Sequence, residues 1–124
     1  MKYLCLVYVE EKVLQQLAGP AFDALAAESL DYDDELRQHG HLIAAQALQP
    51  VQTATTVRVR NGKLSTTDGP FAETKEQLGG FIFINASDLN EALQIAAKIP
   101  SGRFGTIEVR PILELERKAS TTHA

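Results

Sequence analysis

The segment from residue 3 to residue 9 is apolar at its odd positions and also at its even positions. Successive side chains of a strand point to opposite faces, so a strand of this composition is buried on both faces. Residues 81–84 repeat the pattern. We therefore expect a sheet covered by helices on one face and by a further layer on the other, for which an identical subunit is the simplest candidate.

Two amphipathic helices are predicted from apolar residues that recur every three or four positions. The first follows a loop that ends at Gly19-Pro20, and Gly40 stops it. Its stripe consists of Phe22, Leu25, Ser29, Tyr32 and Leu36. The second helix begins at an amino-terminal cap, Ser87-Asp88, and ends before Pro100.

Further strands are predicted over residues 42–48, 53–60, 63–67, 81–85 and 106–113. Asn61-Gly62 joins two of them as a hairpin, because both positions of the favoured turn need positive φ. The order of elements indicates the α+β class: a ferredoxin-like dimeric α/β barrel whose antiparallel sheet carries two helices on one face and an inserted β-hairpin. We expect a single domain over residues 1–114 and a polar tail over residues 115–124.

Composition argues against several classes of protein. Of the 124 residues, 44% are hydrophobic and 23% are charged, which is typical of a globular domain. The net charge of −4 and the lack of a basic patch argue against a direct nucleic-acid partner. No apolar run is long enough to span a bilayer and no signal peptide is recognisable, so we expect a cytoplasmic protein without a membrane partner. The single cysteine, Cys5, is expected to be a small buried hydrophobe.

Residues 68–81 combine a turn, ionisable side chains and a glycine pair between two predicted strands. Gly69-Pro70 fixes the turn, and Gly79-Gly80 lets the backbone bend or approach another group closely. Asp68 leaves a strand at this rigid turn, as a general base held at a defined position would, and is therefore the candidate catalytic residue. The alternative is structural, with Asp68 capping the turn or a short helix over residues 72–78.

Four candidate ligand-binding residues lie in or just after the same segment. Phe71 is either a platform for a ligand or the apolar anchor of its loop, and Phe81 and Phe83 are expected to wall the same pocket. Lys75 either binds an anionic ligand or is a solvated surface lysine.

Arg58 and Arg110 are the remaining candidate ligand-binding residues. They lie on the polar sides of their strands, as do Arg60 and Glu108, and enclosed charges must be paired or must bind an ion. The four side chains form either a salt-bridge network at an interface or a carboxylate-binding site.

No metal site and no cofactor are expected. His39 and His41 lack a third ligand at a recognisable spacing, so packing or helix capping is the favoured role. The acidic run at residues 31–35 is interpreted as a solvated face, because Asp33 and Arg37 are spaced to pair. The sequence also lacks a glycine loop for phosphate and a nucleophile elbow.

These residues resemble the YCII-related family, in the branch named for its Asp-Gly-Pro-Phe motif. The resemblance spans about residues 1–114, and its specific parts are residues 68–75 and 78–81, with 53–58, 61–62 and 108–111 in support. It implies a dimeric α+β barrel related in fold to muconolactone isomerase-like enzymes, with a cavity in each subunit near the dimer interface. Some relatives pair an aspartate with a histidine early in the first helix, where residues 20–28 of this chain contain no histidine. The branch is often encoded beside extracytoplasmic-function sigma factors, which implies a sigma factor as partner.

The sequence therefore predicts a small homodimeric barrel that binds an uncharged or weakly anionic organic molecule. If the protein is an enzyme, Asp68 transfers a proton without a cofactor, as in an isomerase or lyase acting next to a carbonyl. Two alternatives remain open: a non-catalytic accessory protein that engages a sigma factor, and a purely structural dimer without a ligand.

Overall fold

A computed structural model describes residues 1–118 of the chain. Its elements follow one another as β1 (Lys2–Val9), α1 (Glu11–Gln15), α2 (Gly19–Gln38), β2 (Leu42–Ala47), β3 (Thr55–Arg60), β4 (Lys63–Asp68), β5 (Gln77–Asn85), α3 (Leu89–Ala97) and β6 (Gly105–Pro111). Two short 3₁₀ helices, Val51–Thr53 and Pro100–Phe104, precede β3 and β6. The last six residues of the predicted polar tail lie outside the described residues.

The main sheet has the strand order β2-β5-β1-β6, and its paired strands are antiparallel. Cys5 in the middle of β1 lies opposite Ile82 of β5 and Val109 of β6. Helices α2 and α3 pack on one face of this sheet, while β3 and β4 form a separate two-stranded sheet. The predicted α+β fold, with helices on one sheet face and an inserted hairpin, is confirmed.

The core forms between the helices and the odd-numbered residues of β1. Tyr3 and Cys5 are almost completely buried there, against Ile84 of β5 and Ala92 of α3. Burial of a large apolar side chain contributes about 1.5–3 kcal/mol, so this layer dominates the stability of the domain. Burial also raises the pKa of the Cys5 thiol to about 11, and its predicted role as a small buried hydrophobe is confirmed.

The opposite sheet face is only partly covered. Leu4, Leu6 and Tyr8 of β1 alternate with the core residues and stay half-buried, and Phe83 of β5 lies beside them, opposite Leu4. Arg110 of β6 flanks the same strip on its other side. We call this strip the open face.

A β-bulge interrupts the pairing of β5 with β1. Val7 lies opposite Gly80, but Tyr8 lies opposite Leu78, so Gly79 has no partner on β1. A Cβ atom on Gly80 would lie 2.7 Å from the carbonyl oxygen of Gln46 on β2, so the close approach of these strands requires glycine. The predicted bend and close approach at the glycine pair are thus confirmed.

The hairpin turn at Asn61-Gly62 is also confirmed. Asn61 has a φ of 53° and Gly62 a φ of 76°, which is the left-handed conformation that a two-residue hairpin loop needs. Pairing of Val57 with Thr66 and of Arg58 with Ser65 gives the hairpin an apolar face and a basic face, and both are exposed.

Two segments differ from the prediction. Residues 10–20 were expected to be a loop, but they contain α1 and the first two residues of α2. Pro20 fits in the first turn of α2 because the backbone nitrogens of a first turn have no hydrogen-bond partner within the helix. The prediction of a short helix over residues 72–78 is wrong. The Thr74 hydroxyl donates to the Glu76 backbone carbonyl at 2.6 Å, and the side-chain amide of Gln77 donates to the Thr74 backbone carbonyl at 2.7 Å. Such local hydrogen bonds compete with a helix, and β5 already begins at Gln77.

Among the helices within residues 1–118, none has both the length and the apolar character needed to cross a bilayer.

Candidate functional site

A cavity of about 640 Å³ lies between α2 and the sheet face that carries the core. This volume is within the range of small-molecule sites, which are typically about 300–1,000 Å³. The space exists because the strands below α2 carry small residues at the critical positions. Ala45 and Ala47 of β2 and Gly80 of β5 line the floor, together with Val7 and Val9 of β1.

The wall formed by α2 is one face of that helix. Its lining residues recur at intervals of three and four positions, and they are Phe22, Leu25, Ala26, Ser29, Leu30 and Asp33. From first to last they extend about 16 Å along the helix axis, at about 1.5 Å per residue. Phe22 and Leu30 are exposed, so the rim of the cavity is apolar and open to a ligand.

The short helix α1 closes a second side through Leu14, Gln15 and Glu11. A Glu11 carboxylate oxygen, Oε2, accepts a hydrogen bond of 3.0 Å from the backbone N–H of Val51. The backbone N–H of Glu11 donates in turn to Oε1 of Gln77 at 3.3 Å. No residue of α1 is fully buried, so these two bonds place the helix together with Leu14, which packs against the core.

A third side is formed by the 3₁₀ helix before β6, through Ile99, Pro100 and Ser101. Arg103 in the same segment forms two hydrogen bonds of 2.8 Å to the carboxylate of Glu28 on α2. This bidentate pair holds the segment against α2 from outside the cavity.

Asp33 is the ionisable residue of α2 that lines the cavity. Burial raises the pKa of its carboxyl; the nearby Asp34 adds to this effect and Arg37 opposes it. The expected ion pair between Asp33 and Arg37 is wrong, because Arg37 instead contacts Asp34 at 2.6 Å. The acidic run therefore divides: Asp34 faces solvent with its partner, and Asp33 faces the cavity.

The arrangement is suited to proton transfer on a largely apolar ligand. A carboxyl with a raised pKa holds its proton to higher pH than usual, which lets it act as an acid or a base nearer neutrality. Ser29 and Ser101 offer hydroxyl groups, and apolar side chains exclude water around them. Within residues 1–118, no group of three or more His, Cys, Asp and Glu side chains is placed to hold a metal ion.

The residues predicted from the Asp68 segment are not gathered at this cavity. Asp68 ends β4 and is exposed, and within the described chain its carboxylate forms neither a hydrogen bond nor an ion pair. The turn after it is instead held by the Thr56 hydroxyl, which donates to the Gly69 carbonyl, and by the backbone of Ala54. Phe71 is 80% exposed.

The other predicted ligand-binding residues lie in four places. Lys75 lines a neighbouring depression of about 300 Å³, which shares Glu11 with the cavity wall. Phe81 is a lining residue of the main cavity, although strand alternation turns its side chain toward Leu6 and the open face. Phe83 and Arg110 lie on the open face, and Arg58 lies on the basic face of the hairpin.

Sequence reasoning missed Asp33 and Glu11. The signal for Asp33 was present, because it lies four positions after Ser29 of the predicted stripe and three after Leu30. Glu11 gave no such signal, because its position depends on a helix that was expected to be a loop.

Comparisons with known proteins agree with this architecture. A family model described as the YCII-related domain matches residues 1–116. An uncharacterized protein of Rhizobium meliloti (strain 1021) is 33% identical over 114 residues, which is 90% of this chain and 92% of that protein. Among solved structures, 5-chloro-2-hydroxyhydroquinone dehydrochlorinase (TftG) from Burkholderia phenoliruptrix AC1100, in complex with 2,5-dihydroxybenzoquinone, is similar with a TM-score of 0.52. It is 18% identical, and the match covers 91% of this chain and 94% of TftG, which supports the fold alone.

Proposed function

Because the chain belongs to the YCII-related family, we propose that it binds a small organic molecule in the cavity beneath α2 and that Asp33 transfers a proton to or from that molecule. The observation that carries the proposal is a carboxyl group whose pKa is raised by burial inside a cavity of ligand size. The reaction class is isomerisation or elimination next to a carbonyl, without a cofactor.

In such a reaction the Asp33 carboxylate removes a proton from a carbon beside the carbonyl. In an isomerisation, the electron pair of the broken C–H bond shifts along the molecule and another carbon takes the proton back from Asp33. In an elimination, the electron pair expels a leaving group from the neighbouring carbon. The proposed class is compatible with the chemistry of TftG, which shares the fold and is named as a dehydrochlorinase, an enzyme that removes a proton and a chloride. The hydrophobic lining raises the basicity of the carboxylate and keeps water from competing for the proton.

Asp68 remains the second candidate base. It stands at a defined position, since Gly69 after it has a φ of +99°, which favours glycine and fixes the turn. It lies outside the lining of the cavity, so the Asp33 and Asp68 proposals can be separated by one substitution each.

The test uses 2-tetralone, an uncharged bicyclic ketone with acidic hydrogens beside its carbonyl. Deuterium incorporation from D₂O, followed by NMR, measures proton transfer on this ketone, and the assay does not require the natural substrate. We expect the wild-type protein to accelerate exchange and Asp33→Asn to lose about 10²-fold or more, the usual contribution of a general base. Asp68→Asn is the matched control and is expected to exchange at the wild-type rate.

Loss of exchange in Asp68→Asn but not in Asp33→Asn would assign the base to Asp68. No acceleration by the wild-type protein would count against proton transfer on this class of ketone. The variant Ala26→Trp, which fills the α2 wall, is expected to abolish exchange, and Ala21→Trp on the exposed part of α2 is not. Equal effects of these two tryptophans would show that the cavity is not the site.

We also propose that the protein is a homodimer in which the open faces pack against each other. The half-buried Leu4, Leu6, Tyr8 and Phe83 support this arrangement, because an apolar strip of this kind is stabilised by removal from water. Sedimentation at micromolar concentration is expected to give twice the monomer mass, and Phe83→Glu to give the monomer. A wild-type monomer at that concentration would contradict the proposal.

We propose, further, a branch of the family for this chain and, as the alternative function, an accessory role. The segment Asp68-Gly69-Pro70-Phe71 supports placement in the branch named for that motif. Co-purification of an extracytoplasmic-function sigma factor with the untagged protein would favour the accessory role, and the expected cytoplasmic location stays a prediction.

A further inference from the structure

The charged side chains that line the cavity are both carboxylates. Glu11 comes from α1 and Asp33 from α2, and the lining within the described residues includes no lysine, arginine or histidine. Two carboxylates in a largely apolar lining that contains no cation create a negative potential in the cavity, because apolar walls screen charge less than water does; Arg37, outside the lining, offsets it only in part. A bound carboxylate or phosphate would have to enter against that potential.

Hydrogen bonds hold Glu11, one source of this potential, in a fixed position. Its Oε2 atom is held by the backbone N–H of Val51 at 3.0 Å, and its own backbone N–H is bound to Gln77. An ionised carboxylate has about four acceptor sites on two oxygens. Oε1 of Glu11 receives no hydrogen bond from residues 1–118, and Glu11 lines the cavity, so this oxygen is an acceptor available to an entering hydroxyl group.

The nearby positive charges lie on the other side of Glu11. Lys12 and Lys75 line the neighbouring depression with Glu10 and Thr74, and neither lysine lines the main cavity. Glu11 and Gln15 belong to both linings and separate the two spaces. The two lysines of the depression are matched there by Glu10 and Glu11, whereas the charged residues that line the main cavity are both acidic.

We propose that the cavity selects largely apolar compounds that carry hydroxyl donors and no negative charge, and that Glu11 is the specificity-determining residue. This inference rests on the proposed function, because it concerns the ligand of the same cavity. It narrows the earlier expectation of an uncharged or weakly anionic ligand to the uncharged class. An acidic hydroxyquinone, which loses its hydroxyl proton readily, belongs to the rejected class.

Two probes that differ in one substituent test this selection. 2,7-Dihydroxynaphthalene presents two hydroxyl donors, and 7-hydroxy-2-naphthoate replaces one of them with a carboxylate. Both fluoresce, and the wild-type chain contains no tryptophan to interfere, so fluorescence titration at about pH 7.5 gives both dissociation constants for the wild type and the glutamate variants. Titration calorimetry gives them for Ala26→Trp. We expect the diol to bind at least about tenfold more tightly, since a like charge placed beside a desolvated carboxylate is strongly unfavourable.

Glu11→Gln is the decisive variant. It keeps a side-chain oxygen for the Val51 N–H but removes the charge, so we expect the preference for the diol to fall at least about threefold, chiefly through tighter binding of the naphthoate. Glu10→Gln, at the neighbouring position in the depression, is the matched control and is expected to keep the wild-type preference. Far-ultraviolet circular dichroism and melting temperature report whether each variant is folded.

The possible failures are distinguishable. If both probes bind equally well and Ala26→Trp blocks both, the cavity is a ligand site and the charge selection is wrong. If the preference exists but is unchanged in Glu11→Gln, Glu11 does not determine it and the inference is overturned. If neither probe binds, or if Ala26→Trp has no effect on either, the inference fails together with the proposed function.

Discussion

Arg103 and Glu28 form a bidentate ion pair, with Nη1 and Nη2 of the arginine each 2.8 Å from one carboxylate oxygen. The two residues are 75 positions apart in the chain, and their pair joins the 3₁₀ helix before β6 to the middle of α2. Both elements line the cavity, so the pair fixes the spacing of two of its walls.

The first prediction concerns this pair. The Arg103 hydrogen bonds hold the pKa of Glu28 below its ordinary value of 4.5. A lowered pKa in the folded state means that the contribution to stability is complete above the ordinary value and is lost as the pH falls through the lowered one. Glu28→Gln is therefore expected to melt slightly lower than wild type at neutral pH and to match it once the pH is below the lowered pKa of Glu28. Thermal unfolding across this range checks the prediction, with the exposed Asp31→Asn as control; a difference that grows on acidification would contradict it.

The second prediction has the opposite sign. Burial raises the pKa of Asp33 above its ordinary value of 3.8, so the native protein retains that proton longer than the unfolded chain does. Stability from this group is fully present below the ordinary value and is lost as the pH rises through the raised one. Asp33→Asn should therefore melt higher than wild type at neutral pH, and the gain should disappear on acidification.

Asp34→Asn is the neighbouring control for the Asp33 prediction. It removes the exposed ion pair with Arg37 and is expected to lose about 0.3–0.5 kcal/mol at neutral pH. Unfolding in urea at two pH values measures both variants. Stabilisation by Asp34→Asn and destabilisation by Asp33→Asn would reverse the assignment of the two side chains to solvent and cavity.

The third prediction concerns the close contact of β5 with β2. Gly80→Ala places a Cβ atom against the Gln46 carbonyl oxygen, which belongs to the backbone and has little freedom to move. We expect a loss of about 1–3 kcal/mol and weaker ligand binding, because the strand shift alters the cavity floor. Gly19→Ala, in the first turn of α2, is the control, because no atom beyond the adjacent residues lies within 4 Å of the new Cβ, and it should cost less than Gly80→Ala, through contact with Pro20 alone. Equal stability of both variants would be inconsistent with the contact.

The fourth prediction concerns the start of α3. Asp88 accepts a hydrogen bond of 2.8 Å from the Glu91 backbone N–H, and Glu91 accepts one of 2.8 Å from the Ser87 N–H. This reciprocal cap satisfies two donors that the helix itself leaves unpaired, so Asp88→Ala is expected to cost about 1 kcal/mol. Chemical denaturation measures the loss, and Asn90→Ala, one position after the first helical residue, should change stability by less than half as much. A similar loss in both would point to helix propensity rather than capping.

Features set by neighbours in sequence were predictable. The turn at Asn61-Gly62 and the cap at Asp88 follow from local backbone rules, and the strands follow from residue alternation. The site was less accessible because it depends on how α2 is rotated against the sheet. Arg37 reaches either Asp33 or Asp34 at nearly equal cost, and only packing determines which carboxylate faces the cavity.

The cavity itself depends on contacts between distant segments. It is open because Ala45 and Ala47 lie beside Gly80 under α2, and β2 and β5 are 30 or more residues apart in the chain. No local pattern reports that small residues from separate strands will share one floor. The Asp68 segment, by contrast, has a strong local signal but lies outside that floor.

The small helix α1 has a consequence for how this protein can change over evolutionary time. Its residues border the ligand space, and apart from Leu14, which packs against the core, they contribute little to the core that keeps the domain folded. Substitutions there can alter which molecule is accepted while the melting behaviour stays almost constant. Relatives with this architecture are therefore expected to diverge in ligand preference first at α1, long before their sheets differ.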